Sequence, residues 1–232
     1  MTLFWEKGFE GASMPDLTEA MGIGSPSLYA AFGSKEALFL EAVELYQATV
    51  GLEIWQALED EPTIAAAIEA FLVNTAKAYS QSATPRGCLI VLGARPAGET
   101  SHSVCDDLKV RRTENLVLLR KRFQRAVDES EFPPGFDCEA AAAFYASLQH
   151  GMSIMARDDA DTAALEAIAA RGTSCTYGPG IQDEIDLSSN LAGSSPRPGR
   201  SLKPGKNPAD TELWCGRPGA CLRADETLNA GA

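Results

Sequence analysis

Basic residues are in short supply. The 232-residue chain carries 20 lysines and arginines against 32 acids, for a net charge of -12. That balance excludes a surface that coats nucleic acid by charge alone, but segregated charge leaves room for a local reading face. Histidine is scarcer still, with only His102 and His150. The six cysteines (Cys88, Cys105, Cys138, Cys175, Cys215 and Cys221) form no C-x-x-C pair. No metal site is expected from such spacing. No run approaches the ~18 consecutive apolar residues of a membrane span. Residues 1–7 lack the basic start and apolar run of a secretory leader. A cytoplasmic protein without membrane contact is expected, its cysteines free thiols. Missing too are a Ser-His-Asp elbow, a phosphate loop and a dinucleotide fingerprint, so neither an enzyme nor a bound cofactor is expected.

What the chain does have is apolar content, 45% of residues, arranged with helical spacing. An all-α fold follows. A first helix ends at Gly8. Ser13 caps a second, with Pro15 in its first turn and Asp16 at the capping-box position. Gly22-Ile23-Gly24 breaks that helix. A third starts with Ser25 as cap and Pro26 at the first helical position, and ends at Gly33. A fourth runs from Ser34 to about Leu58. Ile64, Ile68, Phe71, Leu72, Thr75 and Tyr79 make an amphipathic stripe. A short apolar helix at 87–94, long ones at about 101–129 and 137–157, and a last piece at 161–171 complete the order.

Two short helices joined by a glycine turn are the helix-turn-helix plan. Leu17, Met21, Ile23, Leu28 and Phe32 have the spacing of its small core. Ser25, Pro26, Ser27, Tyr29, Ala30 and Ala31 are left facing outward on the second helix. The stretch from Gly8-Phe9 through Ser13-Met14-Pro15-Asp16-Leu17 to Leu28-Tyr29-Ala30-Ala31-Phe32-Gly33-Ser34-Lys35-Glu36 resembles the DNA-binding domain of the TetR family. The likeness is close over residues 1–45; Arg86-Gly87-Cys88-Leu89 looks like a subgroup feature. It implies a helix-turn-helix domain at 1–45 and a helical ligand-binding and dimerisation domain at 46–171. It further implies a homodimer that binds a double-stranded operator and a small-molecule effector, most simply as a repressor. The alternative is a small-molecule-binding helical dimer that has lost effective DNA binding.

DNA contacts are expected from Ser13, Ser25, Pro26, Ser27, Tyr29, Ala30, Ala31 and Lys35. Small residues at the start of a recognition helix permit close approach to the groove. Ser13 is a cap that could add a phosphate contact through its backbone N–H. Tyr29 reads as a phosphate contact or as a half-buried aromatic. Lys35 sits at a helix start, where charge and free N–H groups meet a phosphate together. Residues 1–50 hold only Lys7 and Lys35 against seven acids. Met1 falls inside the family's first helix, which reads as a misassigned start or a shortened chain.

For the effector, Trp55, Phe71, Tyr79, His102, Phe123 and Tyr145 are the candidate lining, although most of that set is core. The arginines and lysines from Lys109 to Arg125 read as a solvated helix face or as contacts to an acidic ligand. Phe144, Leu148, Gly151, Met152 and Met155 are the candidate dimer face. Residues 172–232 hold 9 of the 20 glycines and 6 of the 13 prolines, with no helical period. They are expected to be a disordered tail, whether natural or produced by a frame change near Gly172.

Overall fold

In a computed structural model of the chain, residues 1–94 and 102–175 are described. They fall within a first compact unit, Met1–Ser194. Among the described residues there are ten helices and no strand. These are α1 (Thr2–Gly11), α2 (Met14–Met21), α3 (Ser25–Phe32), α4 (Lys35–Ala48) and α5 (Val50–Asp60). They continue with α6 (Ile64–Ser80), α7 (Leu89–Leu92), α8 (His102–Asp128), α9 (Cys138–Arg157) and α10 (Thr162–Cys175).

Short polar side chains cap five of the ten. Ser34 Oγ, Thr63 Oγ1, Asp137 Oδ1 and Asp161 Oδ1 each accept the N–H three residues on, at 2.8–3.2 Å. Each fills one of the donors that a helix start leaves unpaired. α5 and α6 pack together, α8 lies on α9, and α10 lies on α6. The core is continuous from end to end. Phe4 and Phe9 meet Phe39 edge-on, at 5.1 and 5.4 Å between centroids, and Trp5 meets Tyr46 at 4.9 Å.

Five boundaries differ from the sequence expectation, the plainest being α7, which spans Leu89–Leu92 and not 87–94. The chain turns at Gly8 (φ 73, ψ 173) and then makes one more turn to Gly11. The turn frees the Phe9 N–H, which donates to Gly93 O at 2.6 Å. α4 does not reach Leu58. It stops at Thr49, whose hydroxyl donates to Leu45 O at 2.6 Å, and α5 begins on a new course. Such a bond competes with the helix ladder, but Thr75 and Thr113 make it inside unbroken helices; what ends α4 is the non-helical backbone of Thr49 itself, φ -117 and ψ -82. The cap of α3 is Gly24 rather than Ser25, which is itself helical.

α10 runs past Arg171 through Gly172 to Cys175. Gly172 is buried, and its carbonyl accepts the Tyr145 hydroxyl at 3.1 Å. A β-carbon there would stand 2.6 Å from Leu72 and 2.7 Å from Leu148, so the lack of a side chain is what lets α10 lie this close. The expected tail therefore cannot begin at residue 172. Residues 176–232 lie outside the described residues.

Candidate nucleic-acid interface

α2 starts with both halves of a capping box. Ser13 Oγ accepts the Asp16 N–H at 3.2 Å, and Asp16 Oδ2 accepts the Ser13 N–H at 3.1 Å. The expected phosphate contact through the Ser13 N–H is thereby corrected, because that donor is already engaged, and the hydroxyl too serves the Asp16 carboxylate. Lys7 reaches the same carboxylate at 3.2 Å. The Ser13 hydroxyl first, then its backbone N–H and Lys7, hold the Asp16 carboxyl below its ordinary value.

α2 ends at Gly22 in the left-handed conformation (φ 65, ψ 28). The Gly22 N–H donates to Glu19 O and the Ile23 N–H to Thr18 O, each at 3.1 Å. This is a helix stop that a glycine makes without strain. Leu17 and Leu28 are buried beneath the turn, with Ile23 and Phe32 packed partly against them. Met21 is not part of that core: it is 40% exposed.

α3 presents a surface without charge. Ser25, Pro26, Ser27, Tyr29, Ala30 and Ala31 are all exposed, and Tyr29 is 49% exposed. With Gly24 as the cap, neither serine is occupied by capping. The first turn thus offers the unpaired N–H groups of Ser25 and Ser27 beside two serine hydroxyls, with alanines behind them. Lys35 opens α4 one residue after its Ser34 cap. Its Nζ lies 4.4 Å from the centre of the Phe9 ring. A half-exposed cation–π contact of this kind is worth about 0.5–1 kcal/mol, little enough for a phosphate to draw the ammonium away.

The six residues expected to line one effector pocket do not come together. Trp55 lines an open cleft of about 860 Å³ between α5 and α8. Phe123 and Tyr145 stack at 5.6 Å and border a second hollow of about 390 Å³. Phe71 and Tyr79 are buried, Phe71 behind Trp55 at 5.2 Å and Tyr79 with its hydroxyl near Cys88. His102 is exposed and lines neither hollow. Arg122 was missed as an individual: it is buried on α8 and lines the larger cleft. Its place in a run of exposed arginines and lysines concealed it. On the expected dimer face, Phe144 and Met155 are 47% and 42% exposed, and Leu148 and Gly151 lie between them. Met152 is a correction. It is 1% exposed, turned into its own bundle, and out of reach of a neighbour.

The profile of the bacterial regulatory proteins of the tetR family matches residues 1–42, and that of the tetracyclin repressor-like C-terminal domain matches residues 65–171. The HTH-type transcriptional repressor ComR of Escherichia coli (strain K12) is 30% identical over 170 residues, 73% of this chain and 81% of that one. The chain belongs to the TetR family. Another relative is the HTH-type transcriptional repressor BdcR of the same strain, 36% identical over 91 residues, 39% of this chain and 46% of that one. A cysteine mutant of the TetR family regulator CifR, solved with 26-base-pair double-strand operator DNA, is 37% identical with a TM-score of 0.72. That likeness covers 75% of this chain and 90% of CifR. In this TetR-family chain the glycine-stopped α2 and the uncharged α3 form the helix-turn-helix. No helix among the described residues is long and apolar enough to cross a membrane.

Proposed function

We propose that this chain is a ligand-responsive, DNA-binding transcriptional repressor, acting in the cytoplasm as a homodimer. One observation carries the reading: the first turn of α3 stands clear of the protein, small, uncharged and with its N–H groups free. A recognition helix enters the major groove by that end. Ser25 and Ser27 reach base edges or phosphates, and Tyr29 and Lys35 hold the backbone on either side. Pro26, Ala30 and Ala31 give the close approach, and Ser13 fixes the start of α2 through its capping box. Two such heads reading successive major grooves would require two copies of the chain.

The face of α9 around Phe144, Leu148, Gly151 and Met155 is suited to that pairing. An added β-carbon at Gly151 meets nothing within 4 Å in its own protomer, so a neighbouring helix can come close there. Response to an effector is supported by the route from cleft to head. Gln47, near the end of α4, lines the cleft and accepts a hydrogen bond from Arg111 on α8. α4 follows α3 directly, so an occupant that shifts Gln47 shifts the reading helix.

A second reading, a ligand-binding dimer without effective DNA binding, is favoured by the engagement of both head lysines, Lys7 on Asp16 and Lys35 over Phe9. Selection of duplexes from a random pool by the purified full chain, at stated salt, separates the two. An enriched, two-fold symmetric site supports the repressor. A pool that stays random at about 50 mM salt, where phosphate contacts are strongest, defeats it.

A further inference from the structure

We propose that the cleft between α5 and α8 is built for an organic carboxylate, with its head seated on Arg122 and its apolar body along Trp55. The inference deepens the effector reading by naming the chemistry of the occupant. Arg122 sits on the inner side of α8, its side chain 2% exposed. Among the described residues its one ion pair is with Glu131, at 3.6 Å, beyond hydrogen-bond length. Its Nε, Nη1 and Nη2 make no hydrogen bond among the described residues. A guanidinium cannot shed its charge at neutral pH, so burial leaves five N–H donors in want of acceptors.

Glu131 cannot fill that need alone. Its Oε2 accepts the Ile64 N–H at 2.8 Å and so caps α6, and the single oxygen left, Oε1, itself without a hydrogen bond among the described residues, faces Nη2 only. Glu131 does not itself line the cleft, whereas Arg122 does. Arg122 lines the cleft, but its nitrogens are shielded from water, so a carboxylate head must enter the cleft wall to reach them. Burial lowers the pKa of Arg122, against the pull of Glu131, as expected of a cation short of partners.

The rest of the cleft selects among anions. Lys121 and Arg125 line it with Arg122, but Arg125 is held by Glu129 at 2.9 Å and by Glu59 O at 3.2 Å. Glu59 and Asp60 line it too and are exposed. Acids there repel a dianion more than a monoanion, which favours a carboxylate over a phosphate. A planar carboxylate also matches the guanidinium fork with two parallel hydrogen bonds. Trp55, Leu52, Leu58 and Leu118 supply apolar wall, and Trp55 is backed by Phe71. At about 860 Å³ the space suits a ligand of modest organic size.

Octanoate and octanamide share a body and differ in the charge of the head. In calorimetry on the full chain at neutral pH, octanoate should bind about tenfold more tightly than octanamide, or about 1.4 kcal/mol. Arg122→Gln should erase that preference. Glu131→Gln keeps an acceptor for the Ile64 N–H while removing the competing charge, and should widen the preference. Equal binding of the two probes overturns the proposal, as does binding of neither. A preference that survives Arg122→Gln in a protein with a normal melting curve overturns it as well. If Arg122→Gln does not fold, Glu131→Gln decides: a wider preference supports the proposal and an unchanged one sinks it. None of these measurements involves DNA. A chain that prefers octanoate but selects no duplex would lose the repressor reading and keep this one.

Discussion

The helix-turn-helix and the joint beneath it satisfy their polar groups in opposite ways. In the head the hydrogen bonds that shape the turn and start its helices join residues three to five apart: Ser13 with Asp16, Gly22 with Glu19, Ile23 with Thr18, and Ser34 with Ala37. In the joint they are 65 to 152 residues apart. Trp5 Nε1 donates to Gly87 O, the Cys88 N–H to Ser153 Oγ, and Arg157 to Arg86 O, Trp5 O and Glu6 O. One region is held by short-range rules and the other by the assembled fold. The head keeps its outer surface free because its own bonds close within a turn or two. The joint ties α1, α9 and the stretch before α7 into one knot.

The same difference decides what could be read from the sequence. Caps, glycine stops and the outward set on α3 are set by neighbours along the chain, and the head was legible almost residue by residue. Its errors were local too. Glycine took the cap of α3 from Ser25, and Met21 lies on the open side of a two-turn helix too short to bury every apolar residue. Arg86-Gly87-Cys88-Leu89 stood out only through its likeness to a family, since the partners that lock it in place, Trp5, Ser153, Arg157 and Ala160, are far from it in sequence. The break at Thr49 has no local signature, since Thr75 and Thr113 make the same hydroxyl bond inside unbroken helices. Arg122 and Met152 each belong to a helical stripe that has two neighbours in space, and periodicity does not say which neighbour receives which residue. Gly172 looked like a stop signal, as glycine does after a helix. Its burial against Leu72 and Leu148 is a packing fact with no local signature.

If the joint is held by the assembled fold, damage there should cost the most stability. Gly87 has φ +78, and an added β-carbon would lie 2.6 Å from Ser153 O, a backbone atom that cannot step aside. Strain and overpacking together put Gly87→Ala at about 4 kcal/mol of destabilisation by chemical denaturation. A loss under about 1 kcal/mol would mean that the joint yields easily. Arg157→Met comes next. It keeps the stem and removes donors at 3.1, 3.0 and 2.8 Å to three carbonyls on two segments. About 3 kcal/mol is expected, since hydrogen bonds from a charged group contribute about 1.5–3 kcal/mol each and water replaces part of that at a half-exposed site. Arg157→Lys should restore only part of it, because an ammonium cannot span all three acceptors.

Damage to the head should cost less and stay local. Ser13→Ala removes one cap and should lower stability by about 1 kcal/mol. It should also raise the pKa of Asp16, whose largest downward influence is the Ser13 hydroxyl. The sign of the pH dependence follows. A carboxyl with a depressed folded pKa adds stability above its unfolded value, about 3.9, and loses it as pH falls through the folded value. The gap in stability between the native chain and Asp16→Asn should therefore be present at neutral pH and close under acid. A gap that stays constant between neutral pH and pH 2 would remove Asp16 from the capping box.

The smallest effect on stability belongs to the outer face of α3, and it is the one that tests function. Tyr29 is half exposed, and Leu28 beside it carries the packing. Tyr29→Ala should leave the melting curve in place, because no buried contact is lost, and should weaken binding to a selected duplex by about tenfold, the scale of one hydrogen bond to a phosphate. Lys35→Ala should weaken all duplexes alike and make the salt dependence shallower by about 0.9 on the logarithmic plot. The two variants therefore differ in kind. If Lys35 serves only its contact with Phe9, its removal shifts the melting curve slightly and leaves the salt slope alone. If Tyr29 is only a surface aromatic, affinity does not change. Either result would leave α3 exposed but unused, and the separation of a self-contained reading surface from the joint beneath it would fail at the surface.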